Sequence, residues 1–185
     1  MISTSDISNG VNLEIDGQLF TVVWFQHHKP GKGGAIVRLK LKNLRTGATT
    51  ERTVRSGEKF KKVVLERRKA QYLYADGDLY HFMDTQSYEQ FHLDNDHIGT
   101  GSKFLQDNME VDILSYEQEI MGVQLPTTVD LKVTYTEKGL RGDTATSATK
   151  PATIETGAEI QVPLFVEIGD TIKIDTRTGE YVQRV

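Results

Sequence analysis

The chain contains no cysteine, which excludes a disulfide framework, a thiol nucleophile and thiolate metal ligation. No uncharged apolar run approaches the ~18 residues that a membrane span needs. The first residues, Met1-Ile2-Ser3-Thr4-Ser5-Asp6, carry no basic segment leading into an apolar stretch, so no export signal is expected. A cytoplasmic protein with no membrane partner fits these absences. Helical periodicity is scarce as well: residues 101–109 alone suggest a short helix, with Ser102 as its N-cap. What is present suits a folded chain of 185 residues, 37% hydrophobic and 26% charged, too apolar for disorder.

The net charge of −4 conceals an uneven distribution. Residues 1–65 hold 11 Lys and Arg against 5 Asp and Glu, a balance of +6. Residues 66–127 hold 4 against 12, a balance of −8, and residues 128–185 hold 7 against 9, a balance of −2. A basic third joined to an acidic third implies that one end is drawn to a polyanion and the middle is held off it.

Strand signals dominate the chain. Leu13-Glu14-Ile15 leads through Asp16-Gly17-Gln18 into Leu19-Phe20-Thr21-Val22-Val23-Trp24-Phe25. The short connection reads as a hairpin turn, and the second run, β-branched and aromatic, suits a strand buried on one or both faces. Val37-Arg38-Leu39-Lys40-Leu41-Lys42 alternates strictly, which in a strand puts the apolar residues on one face and the cations on the other. Further short strands are expected at 49–54, 70–74, 79–83, 111–116, 129–134, 160–163, 171–175 and 181–184. Many short strands at close spacing favour small barrels over a parallel α/β sheet. Charge and pattern shifts place boundaries near 65 and 127, giving domains 1–65, 66–127 and 128–185. The second and third could share a fold without sharing sequence.

Most catalytic and metal motifs fail on inspection. Gly31-Lys32-Gly33 lacks the phosphate-loop spacing and no helix pattern follows it. Asp94-Asn95-Asp96-His97-Ile98-Gly99 opens like a calcium loop but has Ile98 at its fifth position and Leu105 where a bidentate Glu belongs. A solvated acidic loop is the expectation there. His27, His28, His81, His92 and His97 show no metal spacing. There is no Gly-x-Ser-x-Gly elbow, and Arg141-Gly142-Asp143 is a string that chance readily produces. Neither a metal nor a cofactor is expected.

One loop remains. His28-Lys29-Pro30-Gly31-Lys32-Gly33-Gly34-Ala35 lies between two expected strands. Pro30 fixes one φ, and the glycines permit a tight exposed turn that leaves Lys32 uncrowded at a tip. The cationic face of Arg38, Lys40 and Lys42 begins just beyond. Together they form a positive surface with a protruding lysine, suited to phosphates lining a cleft. An ordinary hairpin turn with solvated lysines has the same spacing.

Three segments give the chain a family resemblance. Lys29-Pro30-Gly31-Lys32-Gly33, then Gly142-Asp143-Thr144, then Lys150-Pro151-Ala152 followed by Gly157, Ile160, Val162-Pro163, Val166 and Gly169 occur in order at matching spacing. On these the chain resembles bacterial elongation factor P across essentially its whole length. The resemblance implies an all-β fold of three small barrels, SH3-like (KOW-like) first and then two OB-type domains, with a tRNA-like outline. It implies a ribosomal site between the peptidyl and exit positions, with the tip loop (Lys29 to Gly34) and Arg38, Lys40 and Lys42 on the peptidyl-tRNA acceptor arm. Gly142, Asp143 and Thr144 would contact the small subunit near the exit-site codon.

The implied activity is stimulation of peptide bond formation on ribosomes stalled at consecutive prolines, by a monomeric factor that is not an enzyme. Lys32 would be the modified tip residue. A lysine excludes the arginine-rhamnose route, and leaves open β-lysylation, aminopentanolylation or no modification, with a lysine-modifying enzyme as a further partner. Two other classes compete. In a free-standing OB-fold RNA-binding protein or chaperone, aromatics and cations would mingle, yet Tyr72, Tyr74, Tyr80, Phe82, Tyr88 and Phe91 lie in the acidic third. An enzyme with Lys32 as nucleophile would need burial or a nearby cation to depress that lysine's pKa.

Overall fold

A computed structural model describes residues 1–138 and 149–185. The described residues form sixteen strands in three antiparallel sheets, with helix confined to segments of one or two turns. The first sheet holds β1 (Ile2–Ser3), β2 (Asn12–Ile15), β3 (Gln18–His28), β4 (Ile36–Asn43), β5 (Thr49–Arg55) and β6 (Lys59–Val63), in the order β1-β6-β2-β3-β4-β5. The second holds β7 (Glu66–Asp76), β8 (Leu79–Asp84), β9 (Gln90–Asp94), β10 (Glu110–Tyr116) and β11 (Glu119–Gln124), ordered β11-β10-β7-β8-β9. The third holds β12 (Thr128–Thr136), β13 (Thr149–Ile154), β14 (Glu159–Pro163), β15 (Thr171–Asp175) and β16 (Tyr181–Arg184), ordered β14-β13-β12-β15-β16.

Counted within each sheet, the second and third have one topology: fifth, fourth, first, second, third. In the third sheet the end strands β14 and β16 touch, which curls the sheet toward the partly open five-stranded barrel of an OB fold. By spatial clustering the chain forms two compact units, Met1–Arg68 with Ile113–Val123, and Lys69–Asp112 with Gln124–Val185.

In the first unit β4 follows the period-two pattern. Val37, Leu39 and Leu41 are buried with Leu13, Val22 and Phe60, while Arg38, Lys40 and Lys42 are exposed. Strand β3 starts buried on both faces: Phe20 and Val22 enter that core, and Leu19 packs with Val63 and Met121 on the other side. Its pairing with β4 then slips, Val22 facing Leu41 and Trp24 facing Lys40, so Val23 is an extra residue, a β-bulge. Beyond it β3 emerges from the core toward His28.

In the second unit the third sheet closes over Leu131, Val133, Ile154, Val162, Ile172 and Ile174, and Phe104 is buried among them at 1% exposure. Strand β13, absent from the expected set, contains Pro151. Its ladder to β12 ends at Thr136↔Ala152, so Pro151 lies where that pairing has stopped and its missing N–H breaks no rung there.

The helix expected over 101–109 does not form. One α-helical turn, α1 (Asn95–Ile98), is followed by a 3₁₀ segment at Gly99–Phe104. The cap is Asp94, whose carboxylate accepts the His97 N–H at 3.1 Å. Ser102 caps nothing with its side chain; its carbonyl accepts the Leu105 N–H and closes the segment. Two glycines, Gly99 and Gly101, precede the apolar residues and keep the turn from propagating. The stretch expected as a solvated acidic loop is therefore this capped turn. Asp94 also meets His97 Nδ1 at 2.6 Å, and His97 holds its carboxyl below the usual carboxylate range.

Candidate nucleic-acid interface

The β3–β4 hairpin closes at His28↔Ile36, and residues 29–35 span its end. Lys29, Gly31, Lys32, Gly33 and Gly34 are exposed and Pro30 is half-buried. Gly33 has φ +113°, and a Cβ there would lie 3.8 Å from Pro30 Cγ, whereas Gly31 and Gly34 face open space. The single positive-φ position lets the chain reverse just after Lys32, which leaves the lysine side chain displayed at the tip.

Down the outer face of β4 the cations recur about every 7 Å, two residues of strand rise. Arg38 stands opposite Gln26 and Thr53, Lys40 opposite Trp24 and Glu51, and Lys42 opposite Thr21 and Thr49. Among the described residues no ion pair involves Lys29, Lys32, Arg38, Lys40 or Lys42. Three other cations of this unit are compensated. Arg45 grips Glu119 with two guanidinium nitrogens at 2.9–3.1 Å, Arg52 meets Asp16 at 2.7 Å, and Lys61 meets Glu14 at 2.6 Å. Hydrogen bonds donated to Glu119 and Glu14 push Arg45 and Lys61 further toward the charged form. Arg55, Lys59, Lys62 and Arg67 also form no ion pair among the described residues, but β4 and the tip set five such cations in one row and loop, an arrangement suited to a phosphate backbone.

The remaining sequence signals resolve differently. Lys150 is buried at 7% exposure, with its ammonium donating to the Glu137 carbonyl at 2.7 Å. Ile160, Val162 and Val166 are core residues of the third sheet, and Gly157 and Gly169 take φ of +87° and +92° in turns. That signature specifies packing. Gly142, Asp143 and Thr144 lie outside the described residues. The histidines make local contacts: His27 edge-on to Phe25 at 5.7 Å, His81 stacked on Tyr74 at 4.5 Å, and His97 on Asp94. Among the described residues no three His, Asp or Glu converge as a metal site would require, and no helix is long and apolar enough to cross a membrane. Sequence reasoning passed over Trp24, which shares the outer face with Lys40; the signal was a strand too apolar for the alternation of its neighbour.

Comparison with known proteins supplies the context. Three family models match in series: the elongation factor P KOW-like domain at residues 3–60, the elongation factor P OB domain at 65–123, and the elongation factor P C-terminal domain at 129–184. Elongation factor P of Moorella thermoacetica is 56% identical over 184 residues, and that of Acetivibrio thermocellus 57% over 185 residues, each covering 100% of both chains. Among solved structures, the eukaryotic translation initiation factor 5A from Methanococcus jannaschii superposes with a TM-score of 0.51 at 28% identity, covering 68% of this chain and 90% of that one.

A KOW-like, SH3-type domain with a displayed lysine tip, followed by OB-fold domains, defines a translation factor. This chain belongs to the elongation factor P family.

Proposed function

We propose that the chain binds the ribosome between the peptidyl and exit positions and stimulates peptide bond formation, relieving stalls at consecutive prolines. The observation that carries this reading is the tip: Lys32 is exposed on a glycine-bounded loop, at the end of a hairpin whose outer row of Arg38, Lys40 and Lys42 forms no ion pair among the described residues. The row neutralises phosphates of the peptidyl-tRNA acceptor arm, and Lys29, Pro30, Gly31, Gly33 and Gly34 shape the turn that aims Lys32 along it. Proline is a constrained secondary amine and a poor donor and acceptor, so its peptidyl-tRNA is badly placed for transfer. Holding that end in a reactive geometry lowers the entropic part of the barrier, and alignment can contribute several kcal/mol (~7–11 at the extreme). The chain supplies positioning and the ribosome supplies the chemistry.

On the same reading the chain works as a cytoplasmic monomer with domain boundaries near 65 and 127. Gly142, Asp143 and Thr144 contact the small subunit, and a lysine-modifying enzyme extends Lys32. The alternative of a free-standing OB-fold chaperone draws no support from the family matches.

Tripeptide formation on purified ribosomes with proline as donor and acceptor, against a phenylalanine control, tests the proposal. The protein from its native host is expected to accelerate the proline reaction selectively, and Lys32→Ala is expected to lose that acceleration. Equal rates with no factor, parent and variant would remove the reading. Gly142→Val is expected to weaken ribosome binding, and a variant that binds and relieves stalls like the parent would unseat the small-subunit contact.

A further inference from the structure

Trp24 is the only tryptophan of the chain. With Val22 wholly buried, a regular strand would carry Trp24 inward beside it. The extra residue Val23 turns it outward, so Val23 and Trp24 are 45% and 43% exposed, directly across from Lys40. Bulges commonly re-aim a side chain in this way. Cβ atoms of opposed residues lie about 5 Å apart and diagonal ones about 7–8 Å, so the indole has Lys40 beside it and Arg38 and Lys42 on its diagonals. Gln26 adds an exposed amide opposite Arg38. Glu51 flanks Lys40 on the side away from Trp24, which leaves the edge nearest the ring positive.

We propose that Trp24 stacks on an unpaired base of an RNA whose phosphates run along Arg38, Lys40 and Lys42. The proposal rests on the reading of this face as RNA-binding and adds an aromatic platform to it. Rings set beside cations hold single-stranded bases in this manner. A base inside a duplex is covered by its neighbours, so the ring takes a splayed base or a strand end.

A sole tryptophan makes the contact directly observable. The full-length protein is titrated with a hairpin RNA bearing a single-stranded 3′ extension and with the same hairpin blunt-ended. Trp24 emission and the anisotropy of end-labelled RNA are followed together. The extended hairpin is expected to quench Trp24 and the blunt one to leave its emission unchanged. Trp24→Ala weakens binding of the extended hairpin by ~5–100-fold, and Trp24→Phe retains most of the affinity. Both leave the slope of log K against log salt unchanged, whereas Lys40→Gln lowers it by ~0.7–0.9. Unaltered emission at saturating RNA, equal quenching by both hairpins, or parental affinity in Trp24→Ala would each overturn the stacking contact while the salt slope keeps the basic-face reading standing. An unchanged slope in Lys40→Gln would overturn that reading and the stacking with it. An emission change on ribosomes with none on either RNA would assign Trp24 to a protein surface instead.

Discussion

Lys32 and Lys150 are the same residue type in opposite settings. Lys32 stands on an exposed loop with no ion-pair partner among the described residues; Lys150 is buried with its ammonium fixed on the Glu137 carbonyl. A lysine held by its own chain has its donor committed, while a lysine that its surroundings leave alone keeps charge and reach for something else. The contrast extends to the neighbourhoods. Around Lys150 the polar groups are spoken for: Thr136 Oγ1 donates to the Pro151 carbonyl at 2.9 Å, and the Asp170 carboxyl accepts the Glu167 N–H at 2.9 Å. That N–H, then Arg184 and Lys150, hold Asp170 below the usual carboxylate range. Around Lys32 no such network forms among the described residues. The third sheet is built for stability and the β3–β4 hairpin for an encounter.

The sharpest way to break that division is Phe104→Ala. Emptying a wholly buried aromatic site costs about 3–5 kcal/mol, read as a fall in Tm, while stall relief per folded molecule stays parental. A mild effect on Tm would show that the third sheet's core does not depend on this ring. Next comes the lysine pair itself. Lys150→Met leaves the Glu137 carbonyl without its donor, an expected loss of ~1–3 kcal/mol, whereas Lys32→Met leaves the melting curve where it was. Equal melting temperatures for the two variants would erase the distinction. Within the tip, Gly33→Ala forces a side chain onto positive φ at about 1–2 kcal/mol and misaims Lys32, so both Tm and stall relief fall; Gly31→Ala and Gly34→Ala, facing open space, leave both near parental.

The smallest effect is electrostatic. Hydrogen bonding to Arg177 lowers the Asp175 carboxyl from 3.8 to about 2. A depressed carboxylate stabilises the fold above its unfolded pKa, and that contribution disappears as pH falls through the folded value. The Tm gap between parent and Asp175→Asn is therefore present near neutrality and closes between 3.8 and about 2. Arg177 is exposed and Asp175 half-buried, so salt screens the pair in part and narrows the gap too. A gap that persists below that window would assign the stabilisation to something other than ionisation.

How much was readable in advance follows from how local each signal is. The faces of β4 were legible because alternation is a property of one strand, and the tip because proline and glycine impose local dihedrals. The shared order of the second and third sheets could be entertained but not read, since pairing joins residues far apart. Strand β13 was hidden by Pro151, tolerable only where the partner strand has ended. The helix misreading came from crediting Ser102 as a cap when Asp94 had started the turn earlier. Burial of Lys150 left no trace in the sequence, because lysine is ordinarily exposed and its carbonyl partner belongs to the backbone.

One consequence of the Val23 bulge concerns heredity. Parity governs a strand: one residue gained or lost exchanges what the two faces show from that point on. Val23 is such a gain already absorbed: excising it would make Val22↔Leu41 and Trp24↔Lys40 consecutive rungs and leave Trp24 outward and Phe25 inward, whereas a second insertion beside it would exchange them. Arms of this kind can drift freely in the letters they carry, while a change in their length survives as a pair of residues or is swallowed by a kink.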